Sequence, residues 1–140
     1  MIAAIDVGSN AMRFAIAQTT GKDSYHILRK IRYPIRLGED AFSDRLFTMP
    51  LTLKALWAFW QMHLMMKEHH VTKYSAVATS AFREAKNARA LQKIILRQTD
   101  IHLQIISGKK EAKLLQWAIQ GHMDMHDKTL LLFDIVGGSV

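Results

Sequence analysis

A short apolar run, Ile2 to Asp6, breaks on Gly8-Ser9-Asn10 and is followed at once by an alternating run, Met12 to Gln18. A turn this short between two such runs commits the opening of the chain to a hairpin. Thr19-Thr20-Gly21-Lys22-Asp23 reads as a second turn and Ser24 to Ile35 as a third strand. The first thirty-five residues are therefore expected to form a β-meander, and the rest of the chain must pack against it.

Beyond the meander the hydrophobic period changes. Gly38 to Asp44 is rich in turn formers and reads as loop. Thr48, ahead of Met49-Pro50, is a plausible cap with proline in the first turn, and a helix is expected from about Pro50 to His69. Leu53, Leu56, Trp57, Trp60, Leu64 and Met65 recur at three- and four-residue spacing and mark its expected inward face, with Met62, Met65 and Met66 filling core gaps. Tyr74 to Thr79 reads as a fourth strand feeding directly into a helix over Ser80 to Lys86. Asn87 breaks or recaps that helix, which continues over Ala88 to Gln98 with Leu91, Ile94 and Ile95 inward. Ile101 to Ile106 is expected to be a fifth strand, Ser107 the cap of a helix ending at Gly121, and Thr129 to Ile135 a last strand. A three-strand meander followed by β-α-β-α-β is a mixed sheet with helices on its faces, an α/β domain.

The chain has 140 residues, 49% hydrophobic and 22% charged, which suits one globular core. It has no cysteine, which excludes thiolate metal sites, thiol nucleophiles and disulfides. Met1 to Ile5 carries no basic leader and reaches Asp6 at once. Leu51 to Met66 is interrupted by Lys54, Gln61 and His63 and is too short to span a bilayer. A cytoplasmic protein without a membrane partner is expected. The formal charge of +7 favours an anionic partner. No recognised nucleic-acid motif accompanies that charge, and Trp57, Phe59 and Trp60 read as packing residues, so nucleic acid is not the expected ligand.

Four stretches carry chemistry. Asp6-Val7-Gly8-Ser9-Asn10 has the glycine and the polar side chains of an anion nest; a tight turn whose Asp and Asn bond their own backbone satisfies the same residues. Arg83 follows the fourth strand, where helix N–H groups collect. It is either a bidentate phosphate ligand or a surface arginine paired with Glu84 or Asn87. Glu111 stands in the first turn after Ile106-Ser107-Gly108, as a dipole-stabilising acid or as a general base for water. Asp134, before Val136-Gly137-Gly138-Ser139, is a candidate ligand for Mg²⁺ at phosphate, or simply the end of a buried strand. His69, His70, His122 and His126 show no ligand spacing, and neither the P-loop nor the dinucleotide fingerprint is present.

Taken in order, these stretches resemble the exopolyphosphatase / guanosine pentaphosphate phosphohydrolase family of the actin-like ATPase superfamily. Ala3-Ala4-Ile5-Asp6-Val7-Gly8-Ser9-Asn10 looks like its first phosphate loop and Ala78 to Asn87 like its arginine segment. Ile105 to Leu115 looks like its "ISG-x-EEA-R-L" element, and Leu131 to Ser139 like its "DIGGGS" second loop. The resemblance implies a ribonuclease H-like lobe over residues 1–128, with residues 129–140 opening a second lobe. It implies an enzyme that removes terminal phosphate from inorganic polyphosphate or guanosine pentaphosphate with Mg²⁺. Glu111 would be the catalytic base. Gly8, Ser9, Asn10, Arg83, Gly137, Gly138 and Ser139 would bind phosphate, and Asp6 and Asp134 the metal.

The sequence departs from the pattern at Lys110, where a glutamate is usual, at Lys113 for arginine, at Val136 for the first glycine, and at Val140 for threonine. With only the first strand of a second lobe, the 140 residues alone are expected to be inactive, and Thr129 to Ile135 to offer a dimerising edge. The alternative is a non-catalytic basic module that binds polyphosphate or guanosine tetra- and pentaphosphate.

Overall fold

The computed structural model describes residues 1–21 and 24–120. The expected strand Thr129 to Ile135, the helix end at Gly121 and the division at residue 129 lie outside the described residues. The meander is present: β1 (Ile2–Val7) pairs antiparallel with β2 (Met12–Thr19), which pairs antiparallel with β3 (Tyr25–Tyr33). β4 (Lys73–Ala78) lies parallel to β1, and β5 (Gln104–Ile105) parallel to β4. The sheet order is β3-β2-β1-β4-β5. Three parallel strands thus point their carboxyl ends the same way, and the β1–β2 hairpin turns over at that end.

Strand alternation decides the two faces. Ala3, Ile5 and Val7 of β1, Met12, Phe14 and Ile16 of β2, and Ala76 and Ala78 of β4 are buried in one cluster. That cluster also holds Ala55, Phe59 and Met62 of α2 (Met49–Glu68) and Leu91 and Ile95 of α4 (Ala88–Thr99). The opposite face carries Ala4, Asp6, Arg13, Ala15, Lys30 and Arg32, and there Leu114 of α5 (Gly108–Gln120) helps line a groove of about 560 Å³. Helices therefore lie on both faces, as expected of this α/β class.

Four local expectations change. Gly38 to Asp44 is not loop: Leu37–Ser43 is a helix, α1, because Leu37 and Ala41 are buried in the core and outweigh the turn formers around them. α2 has its expected length, but of the expected inward face only Leu56 and Met65 pack against the core; the rest is turned outward. Ala55, Ala58, Phe59, Met62 and Met66 are buried, whereas Leu53, Trp57, Trp60 and Leu64 are exposed. Small Ala55 and Ala58 let the helix axis come close to its neighbours, where a row of leucine and tryptophan would hold it off. Met62 and Met66 do fill the core, with Met65 packed at its margin. Ile94, expected inward, lies exposed beside buried Leu91 and Ile95.

The fifth strand contracts to Gln104–Ile105, and Ile101, Leu103 and Ile106 are buried outside the ladder. Residues 80–84 form a one-turn helix, α3, that stops short of Lys86. It ends on Ala85, whose backbone is extended, and Asn87, ahead of α4, is held by tertiary contact: its side chain accepts from Phe47 N–H and donates to Phe47 C=O, both at 2.9 Å. Thr48 has extended backbone before α2 but makes no side-chain cap; its N–H donates to Asp40 Oδ2 at 2.7 Å.

Candidate functional site

The carboxyl ends of β1, β4 and β5 are laced together by backbone and hydroxyl groups. After β1, Gly8 N–H donates to Ala11 C=O at 3.1 Å and closes the hairpin. A Cβ at Gly8 would meet that same oxygen at 3.2 Å, so the turn favours glycine here. After β4, Thr79 N–H donates to Val7 C=O at 3.2 Å, and Ser80 Oγ lies 2.7 Å from Ser9 Oγ in a buried hydroxyl pair. Gly38 N–H of α1 donates to Ser9 C=O at 2.8 Å, and a Cβ on Gly38 would stand 2.9 Å from that of Ser9. The Gly8-Ser9-Asn10 loop is thereby clamped between α1 and α3. Gly8 and Ser9 are held in place, Ser9 with its hydroxyl turned inward, while Asn10 is exposed at the tip.

Asp6, the last acid before the loop, is paired with Arg13 across the hairpin, Nη1 to Oδ2 at 3.0 Å. The two residues are direct partners in the β1–β2 register. A short, centred turn makes this pairing inevitable once the register is fixed, and counting outward from the turn would have found it.

Arg83 and Glu111 are brought together from different helices. Arg83 leaves α3 and Glu111 the first turn of α5, and Nη1 of Arg83 donates to Glu111 Oε2 at 3.0 Å and to Ile106 C=O at 2.9 Å. Their side chains are 31% and 22% exposed. The local alternatives for Arg83 are not realised. Glu84 pairs with Arg45 at 3.3 Å, and the Asn87 side chain is occupied with Phe47. Ser107 caps α5 as expected, accepting from Lys110 N–H at 3.3 Å, which aims the first turn of α5 at this corner. A Cβ at Gly108 would lie 4.0 Å from Nη2 of Arg83, so the arginine sits against the start of that helix.

Thr79, Ser80, Arg13 and Gly38 are thus parts of this end of the sheet to which the sequence assigned no role. Ser80 and Gly38 act through loop packing, for which spacing gives no signal. Asp134, Gly137, Gly138 and Ser139 lie outside the described residues.

The acid set can be weighed against a metal. Mg²⁺ in phosphate sites is held by one or two carboxylates, with phosphate and water supplying the rest. Asp6 suits this chemistry, with its carboxylate half exposed at the rim of the loop, although Arg13 already neutralises it. Among the described residues no group of three or more His, Asp or Glu side chains converges.

At one end of this mixed α/β sheet the parallel strands thus meet a clamped glycine loop, an arginine and a helix-borne glutamate. Residues 15–140 match the Ppx/GppA phosphatase family, and the chain belongs to that family. The matched span includes Arg83 and Glu111 and begins after the Gly8 loop. The fold is also that of solved family members. It is similar to the Ppx/GppA protein of Aquifex aeolicus, with a TM-score of 0.79 at 25% identity, covering 86% of this chain and 39% of that one. It is similar to an exopolyphosphatase from Cytophaga hutchinsonii, with a TM-score of 0.80 at 27% identity, covering 85% and 38%. In sequence it is 27% identical over 144 residues to a bifunctional 3-dehydroquinate synthase/phosphatase of Fusobacterium nucleatum, covering 98% of this chain and 22% of that protein. The chain spans well under half the length of each of these relatives. Among the described residues no helix is long and apolar enough to cross a membrane.

Proposed function

We propose that this chain is the N-terminal lobe of a cytoplasmic phosphohydrolase that releases terminal phosphate from inorganic polyphosphate or guanosine pentaphosphate. The observation that carries the reading is the Arg83–Glu111 pair, two partly buried side chains 3.0 Å apart at the carboxyl end of the parallel strands. In this reading an arriving phosphoryl group takes up the arginine's remaining N–H donors, and Glu111 turns to the attacking water, orients it and accepts its proton. The oxygen of that water bonds to phosphorus as the bridging P–O bond breaks, and the shortened phosphate chain leaves with the electron pair. Arg83 and the N–H groups of Ser9 and Asn10 hold the charge on the transferred phosphoryl, with Gly8, whose own N–H closes the hairpin on Ala11, shaping the loop around it. Mg²⁺, when bound, supplies further charge neutralisation, with Asp6 and Asp134 as the acids to hold it. Gly137, Gly138 and Ser139 belong to the same proposal as the second phosphate loop, and residues 129–140 as the opening of the second lobe.

The expectation that the 140 residues alone do not turn over goes with this reading. The test is phosphate release from polyphosphate and from guanosine pentaphosphate by the chain joined to a complete second lobe. Glu111→Gln is expected to lower the rate by about 10²-fold or more. An unchanged rate would remove Glu111 from the mechanism.

A second reading is favoured by the charge pairing. Asp6 and Glu111, the acids assigned to this end of the sheet, are already neutralised by arginine, Asp6 by Arg13 and Glu111 by Arg83. A basic lobe in that state suits binding of polyphosphate or guanosine tetra- and pentaphosphate without turnover. Calorimetry on the chain distinguishes the two: saturable binding with no phosphate release supports the module, and absence of binding at low salt ends it.

A further inference from the structure

The outward face of α2 is a stripe of large apolar side chains: Met49 is 70% exposed, Leu53 58%, Trp57 59%, Trp60 48% and Leu64 41%. From Leu53 onward the spacing is four, three, four, which is the seam of a two-helix coiled coil. The seam is also palindromic. About a midpoint between Ala58 and Phe59, Leu53 mirrors Leu64 and Trp57 mirrors Trp60. We propose that this face is a homodimer interface, in which α2 of one copy packs antiparallel on α2 of a second copy about a two-fold axis through that midpoint.

Self-complementarity is what selects a second copy as the occupant. A two-fold interface must present the same patch on both sides, so that whatever one copy offers at one end the other accepts at the opposite end. Antiparallel pairing sets Leu53 against Leu64 of the second copy and Trp57 against its Trp60. Leucine meets leucine and indole meets indole in every layer. Parallel pairing would instead stack each residue on itself and bring the helix dipoles into repulsive alignment.

Charge at the ends fits the same arrangement. The first turn of α2 has no acidic residue, and Thr48 provides no side-chain cap. The mirror of Met49 is Glu68, so antiparallel pairing brings the carboxylate of one copy level with the uncapped first turn of the other, the end of a helix that favours negative charge.

The area is sufficient. Aromatic side chains bury roughly 150–250 Å² each, so at these exposures the stripe offers on the order of 500 Å² per copy. Two copies reach about 1,000 Å², the lower bound for a specific interface. The 20-residue helix is about 30 Å long, enough to carry the whole seam without help from loops. This route to a dimer is separate from the edge strand expected at Thr129 to Ile135, and it does not depend on the catalytic reading.

The chain contains no cysteine, so thiol mapping has no background. Sedimentation equilibrium over a dilution series is expected to give twice the chain mass at high concentration. The W57E/W60E variant should give one chain mass with an unchanged far-ultraviolet circular dichroism spectrum, since both residues are exposed. A mixture of L53C and L64C chains should cross-link with a short bis-maleimide, and neither variant should do so alone. Three results would overturn the proposal: a monomer throughout the dilution series, a W57E/W60E chain that stays dimeric, or L53C cross-linking to itself. The first would leave the stripe for another partner, the second would move the interface elsewhere, and the third would mean parallel pairing. The cysteine readout stands even if the double glutamate variant fails to fold.

Discussion

The helices α2 and α4 pack against each other and contribute to the same core, yet only one of them is readable from its own sequence. In α4, Ala88–Thr99, charged and polar residues occupy the side away from Leu91 and Ile95, and the buried stripe follows the helical period with one misassignment, Ile94. In α2, Met49–Glu68, apolar residues run all the way round, so the period fits more than one face. The larger residues make the more conspicuous stripe, and that stripe is the exposed one. Size attracts attention in a sequence, whereas burial against a sheet also rewards small residues such as Ala55 and Ala58 that allow close approach. An apolar period marks a core face only where the opposite face is polar.

Core truncations test this contrast most severely. Phe59→Ala is expected to cost about 3–5 kcal/mol, because the ring is fully buried in the shared cluster and its removal leaves a cavity. Equilibrium urea unfolding would measure it, and a loss below about 1 kcal/mol would put Phe59 outside the core. On α4, Ile95→Ala should cost about 2–4 kcal/mol and Ile94→Ala less than about 1 kcal/mol. Equal costs would remove the assigned orientation of α4.

A medium effect is expected at the tertiary contact of Asn87, just ahead of α4. Asn87→Ala deletes both hydrogen bonds to the Phe47 backbone, and chemical denaturation should show a loss of about 1–3 kcal/mol. An Asp at this position keeps the acceptor for Phe47 N–H and loses the donor, so it should fall between wild type and Ala.

Smaller again is the outer face of α2. At concentrations where the chain is monomeric, Trp57→Ala should cost about 0.5–1.5 kcal/mol, from its edge-on contact with Tyr33 at a ring-centroid distance of 6.1 Å. A cost as large as that of Phe59→Ala would reverse the inside and outside of the helix.

The smallest expected signal is at alkaline pH. Burial pushes the Tyr33 hydroxyl above its ordinary value, with the nearby Arg29 pulling it partly back. The folded state thus holds this proton more tightly than the unfolded state. The stability linked to it is complete below the unfolded value of about 10 and is lost as pH rises through the folded value. Tyr33→Phe should flatten that part of the stability profile above about pH 10, and an unaltered slope would assign the loss to other groups.

The candidate site divides in the same way as the two helices. Arg83 and Glu111 stand out in the sequence because each follows a strand-to-helix junction, where backbone donors gather. That Arg83 passes over Glu84 and Asn87 and reaches Glu111 on another helix is not legible there, because it depends on β4 and β5 being neighbours in the sheet. Ser9 offers a hydroxyl for phosphate in the sequence; in the fold that hydroxyl is buried on Ser80, and Asn10 is the loop side chain left exposed. Gly38 reads as a loop former, and its structural use is the close approach of α1 to Ser9.

The sequence by itself determined the elements whose signals are local. The hairpin follows from an apolar run, a short turn and an alternating run, and the cap of α5 from Ser107. The α/β class follows from the order of periods, and family membership from residues in collinear order. Only the tertiary structure decided which side of α2 faces the core, that residues 37–43 are a helix, how little of residues 101–106 joins the sheet, and that Arg83 meets Glu111. Each of these depends on burial shared between segments far apart in sequence, and where local preference is weak or ambiguous that shared burial outweighs it.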